Sequence, residues 1–144
     1  MRLVILTALL AVPALAQEDA PLALDPVRCA ATAQILGLVA EDAPDLLGPI
    51  DAAEFPRLSE RFVAIARADA ECALSSAEAA AQIETEIELR SAEVRDALAD
   101  EEGGPAIVAS LTDDLTACVQ INTADRPAFM AAEAPADPCG EGAD

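Results

Sequence analysis

Cys29, Cys72, Cys118 and Cys139 are the residues of this chain best suited to chemistry. A cysteine can attack as a thiolate, hold a metal or pair with another cysteine, and spacing separates these uses. Zinc sites with four cysteine ligands draw them in close pairs such as C-x2-C, whereas these lie 43, 46 and 21 positions apart. A thioredoxin-like centre requires C-x-x-C and a c-type haem C-x-x-C-H. Neither motif occurs, and the chain has no histidine. What remains is an even number of distant cysteines, the pattern of two disulfides.

Carboxylates are the other candidates. Glu84 with Glu88, Glu101 with Glu102, and Asp113 with Asp114 are adjacent pairs or one helical turn apart. General acid–base catalysis by two carboxylates requires environments that push their pKa values apart. Among 27 acidic residues such pairs arise by chance, and a solvated acidic face accounts for them. A serine nucleophile has no histidine base here. Hard oxygen ligands suit Ca2+, but no D-x-D-x-D-G loop is present. No catalytic residue, cofactor site or metal site is assigned.

The elements that must position the cysteines begin after an export signal. Residues 1–16 run from Arg2 through the apolar stretch Leu3–Val12 to Pro13 and Ala14-Leu15-Ala16. This is the order of a secretory signal peptide, with cleavage expected after Ala16. The apolar stretch is too short for a membrane-spanning helix, which needs roughly 20 residues, and no cysteine at the cut offers a lipid attachment point. The expected product is periplasmic or secreted, without a stable membrane anchor. The abundance of alanine, with arginine in place of lysine, fits a GC-rich bacterial coding sequence. After cleavage 27 acidic residues face seven arginines, a charge of about −20. That field repels phosphate backbones and excludes nucleic acid as a partner.

Residues 17–24 read as a flexible segment, residues 25–122 as one helical domain and residues 123–144 as an acidic Pro/Ala-rich tail, extended or disordered. No stretch alternates in the manner of a strand. Asp25 caps a first helix with Pro26 at its first position. That helix runs to about residue 40, with Val27, Ala31, Ile35 and Leu38 as its stripe, and it is apolar on most sides. Asp51 and Glu54 spell a capping box, but Pro56 argues for a turn and a second helix from Pro56 to about Leu74. Its apolar face carries Leu58, Phe62 and Ile65, together with Asp69 and Cys72. Ser75-Ser76-Ala77-Glu78 caps a third helix over residues 76–101, with Ile83, Ile87, Val94 and Leu98 on one face. Gly103-Gly104 stops it, and Pro105 opens a fourth, to about Asn122, whose stripe is Val108, Leu111, Leu115 and Cys118. In the tail, Phe129-Met130 is the segment able to dock on the bundle or on another chain.

Short connections make successive helices antiparallel, so the expected fold is an all-α, up-down-up-down four-helix bundle. Cys29, Cys72 and Cys118 then fall at one end, from which the tail bearing Cys139 departs, and disulfides staple that end. Pairing Cys72 with Cys118 would span the bundle diagonal, beyond the Cα separation of about 4.4–6.8 Å that a disulfide allows. Two pairings remain: Cys29 with Cys118 and Cys72 with Cys139, or Cys29 with Cys72 and Cys118 with Cys139. The first is favoured, because helices one and four are neighbours without a connecting loop. Asp69, the acid on helix two's apolar face, reads either as the ion-pair partner of Arg28 at the same end or as an exposed acid at the edge of the stripe.

The function expected from these features is that of a small exported, non-enzymatic helical protein, an interaction or envelope-associated module with a protein partner. The alternative is an acidic protein that binds divalent cations such as Ca2+.

Overall fold

A computed structural model of the chain describes residues 22–131 and 137–140. Residues 1–16, read as a signal peptide, and most of the segment 17–24 lie outside these residues, as do 132–136 and 141–144 of the tail. Four α-helices follow one another: α1 (Pro26–Asp42), α2 (Glu54–Asp69), α3 (Ser76–Leu98) and α4 (Gly103–Asp125). Leu22–Leu24 and Pro44–Leu46 add single 3-10 turns, and the described residues include no strand. Leu22–Leu24 therefore departs from the flexible segment read there, with Ala23 buried as that turn packs on α4.

Side-chain pairs fix the direction of each helix. Gln34 of α1 donates to Ser59 of α2 at 3.0 Å, and Gly37 approaches Phe55, so numbers rise on one helix as they fall on the other. Between α1 and α3 they rise together: Arg28 lies 3.8 Å from Glu86, and Thr32 accepts from Arg90 at 2.8 Å. The start of α1 meets the late part of α4 through Cys29 and Cys118. The helices therefore run up, down, up, down. α1 packs against each of the other three, whereas α2 and α4 lie diagonally apart. Ala30, Ala31 and Ala33, all fully buried, give α1 the slim sides this central place requires, because a methyl side chain lets neighbouring backbones approach. Phe62, Ile65, Leu36 and Leu111 fill the centre, with Phe55 beside them.

Several helix limits differ from those read in the sequence. α2 starts at Glu54, two residues before Pro56. The proline occupies the first turn, where a backbone N–H has no intrahelical partner in any case. Asp51 contributes its carboxylate to the Ala53 N–H at 3.0 Å instead of closing a box with Glu54. The same reasoning places Pro105 inside α4, which starts at Gly103. The Gly103 N–H donates to the Asp100 carboxylate at 2.9 Å, and a Cβ on Gly103 would lie 2.8 Å from the Ala97 carbonyl oxygen. Glycine is needed there for the close approach of α3 and α4. At its far end α4 continues to Asp125, three residues into the segment read as tail. Phe129 and Met130 then fold back onto the core.

Candidate functional site

The end of α2 shapes the cysteine pole. α2 stops at Asp69 rather than near Leu74, because Glu71 and Cys72 adopt left-handed backbone with φ of 50° and 63°. That region is costly for residues other than glycine. It persists here because the Cys72 N–H donates to the Arg67 carbonyl at 2.9 Å and the Arg67 Nε donates to the Leu74 carbonyl at 3.2 Å. The reversal turns Cys72 out of the helix and toward the C-terminal segment.

Cys29 pairs with Cys118, their Cα atoms 5.9 Å apart. Cys72 pairs with Cys139 at 5.5 Å. The two disulfides differ in setting: Cys29 and Cys118 are completely buried, whereas Cys72 and Cys139 are half-buried. Around the second, Arg67 Nη1 donates to both oxygens of Asp137, at 3.0 and 3.2 Å. Asp137 in turn accepts from the Cys139 N–H at 3.0 Å. The segment Asp137–Cys139 is thus held to the end of α2 by one covalent bond and one forked ion pair.

The ion pair between Arg28 and Asp69 does not form. Asp69 accepts from Arg126, whose Nη2 lies 2.7 and 2.8 Å from its two oxygens and whose Nε lies 3.2 Å away. Arg28 turns instead to Glu86 on α3. Arg28 lies on the side of α1 that faces α3, while Asp69 ends α2 next to the end of α4. Arg126 stands just past the end of α4, beyond the limit that the sequence pattern marks for that helix.

A second polar group crosses three helices. Arg90 of α3 donates to the fully buried Thr32 hydroxyl at 2.8 Å and to Asp114 of α4 at 3.4 Å. The Thr32 hydroxyl donates onward to the Arg28 carbonyl at 2.9 Å. Asp114 is therefore engaged separately from its neighbour Asp113, which is exposed, as are Glu84, Glu88, Glu101 and Glu102. The described residues hold no group of three or more His, Cys, Asp or Glu arranged to bind a metal ion. At Ser75 the capping box closes as read. The Ser75 backbone N–H and then its hydroxyl hold the Glu78 carboxyl below its ordinary pKa.

One residue read as core lies at the surface. Leu38, placed on the apolar stripe of α1, is 53 % exposed between α2 and α3, which touch only sparsely. An opening of about 350 Å3 flanks it on the α2 side and one of about 170 Å3 on the α3 side. α1 is apolar nearly all round, so its pattern alone did not reveal which flank lacks a covering helix. Comparison of the chain with protein-family models, curated proteins and solved structures finds no match.

Proposed function

We propose that this chain is an exported, non-enzymatic interaction module, in which a disulfide-locked helical bundle presents an acidic surface to a basic protein partner. The observation that carries this reading is the pair of disulfides that uses all four cysteines. Such bonds form and persist in oxidising compartments outside the cytoplasm, in keeping with a signal peptide at residues 1–16. No helix among the described residues is long and apolar enough to cross a membrane. The chain's −19 charge favours partners rich in lysine and arginine and speeds their encounter. The polar clusters at the pole and around Arg90 have the character of structural ties: their charged groups face one another across helices.

Fractionation of cells producing the chain tests this reading. It predicts recovery outside the cytoplasm with Gln17 as the first residue, and one discrete cross-linked complex with a basic protein there. Recovery in the cytoplasm with four free thiols, or only the uncomplexed chain after cross-linking, contradicts it.

A further inference from the structure

The two openings beside Leu38 differ in chemistry. Between α1 and α2, the carboxylates of Glu41 and Glu60 border a recess that also holds Gln34 and Ser59. Neither carboxylate forms an ion pair among the described residues. Between α1 and α3 the walls are Ile35, Val39, Ile87, Val94 and Leu98. At about 170 Å3, this recess compares with the cavity of about 150 Å3 that accepts a benzene ring. One aromatic or branched aliphatic side chain fits such a space. Exposed Leu38 forms the ridge between the two.

Exposed Leu38 and the apolar recess beside it form one continuous surface. Its charge indicates what covers it. Glu41 and Glu60 lie on one side and Asp42 stands beside the other, with Arg95 the single cation among the lining residues. A second copy of this chain brings the same net charge of −19 and is repelled. We infer that this cleft binds a basic peptide segment of a partner protein, laid across Leu38. It places one large apolar side chain between α1 and α3 and a lysine or arginine against Glu41 and Glu60. The inference rests on the interaction-module reading and gives it a location and a ligand chemistry.

The test is an NMR titration of the oxidised exported protein, labelled with 15N, against two synthetic probes. One is a short amphipathic helical peptide of leucine and lysine, the other a lysine-only peptide of equal charge. The amphipathic probe is expected to saturate, with amide shifts confined to residues 34–42, 56–60 and 87–98. Leu38→Ser and the pair Glu41→Gln with Glu60→Gln are each expected to weaken it about tenfold. The control pair Glu101→Gln with Glu102→Gln, at the exposed α3–α4 turn, should change it by less than about twofold. Unchanged thermal melts establish that each variant is folded. Saturable binding with shifts on another face overturns the cleft while leaving the module reading intact. Equal binding of both probes, or equal losses in cleft and control variants, reduces the interaction to general charge attraction and also overturns the cleft. The module reading itself is tested separately, by the fractionation and cross-linking described above.

Discussion

Asp69 and Arg126, 57 residues apart, are joined through both carboxylate oxygens across the ends of α2 and α4, the two helices that do not pack on each other. An acid at the last residue of a helix sits at the negative end of the helix dipole and is unfavourable there. Arg126 offsets that and fastens the diagonal. Both side chains are part-exposed, at 42 % and 32 %, so solvent screening limits the gain. A double-mutant cycle with Asp69→Asn and Arg126→Gln, read by urea denaturation, should give a coupling of about 0.5–1 kcal/mol. The same cycle with Asp69 and Arg28 should give none.

Arg90 ties α3 to α1 and α4 through Thr32 and Asp114. Replacing it by methionine keeps most of the side chain's bulk and removes the hydrogen bonds. Arg90→Met should lower stability by about 1–2 kcal/mol, and Thr32→Val by about 1 kcal/mol. Thermal and urea unfolding followed by circular dichroism check both. Equal stability of Arg90→Met and wild type would contradict the assigned role.

Gly103 faces the Ala97 carbonyl oxygen so closely that a Cβ would stand 2.8 Å from it. Gly103→Ala gains helix propensity but forces α3 and α4 apart, and the steric term should win, with a net loss of about 1–3 kcal/mol. Gly104, whose Cβ would meet nothing closer than 3.7 Å, should tolerate alanine far better. The difference in urea midpoint between the two variants is the measurement.

The capping box gives a pH dependence with a defined sign. The Glu78 carboxyl is held below its ordinary value by the Ser75 N–H and hydroxyl. Its folded pKa is therefore lower than its unfolded one. The stabilisation it brings is present above the unfolded pKa and disappears as pH falls through the folded one. In a carboxyl 13C NMR titration, Glu78 should titrate at lower pH than in the unfolded chain. Ser75→Ala should raise its midpoint and cost about 1 kcal/mol as a lost N-cap.

The fold was legible because the stop and start signals agree with the periodicity. Asp25 with Pro26, and Ser75 with Glu78, mark helix starts that the structure places at the same residues. The stripe Val108, Leu111, Leu115 and Cys118 is buried as read. The errors have local causes. A proline marks the first turn of a helix and not its first residue, so Pro56 and Pro105 place the starts of α2 and α4 two residues late. The end of α2 was hidden because Glu71 and Cys72 take left-handed backbone without being glycine, and nothing in their type announces it. Asp69 pairs with Arg126, which lies beyond the end of α4 that the periodicity marks near Asn122. The cleft at Leu38 depends on how far α2 and α3 diverge, a tertiary property that no single helix encodes.

The locking of one pole by Cys29–Cys118 and Cys72–Cys139 underlies the rest of the account. Their loops close 89 and 67 residues apart, and the chain-entropy effect differs between such lengths by only about 0.3 kcal/mol. Burial therefore decides which bond resists reduction, and the half-buried Cys72–Cys139 should open first under graded dithiothreitol. Peptide mapping by mass spectrometry of protein recovered from outside the cytoplasm of producing cells, alkylated without prior reduction, is the most direct test. The account predicts linked peptides joining Cys29 to Cys118 and Cys72 to Cys139, with no alkylated cysteine. Linkage of Cys29 to Cys72, or four alkylated thiols, would contradict it.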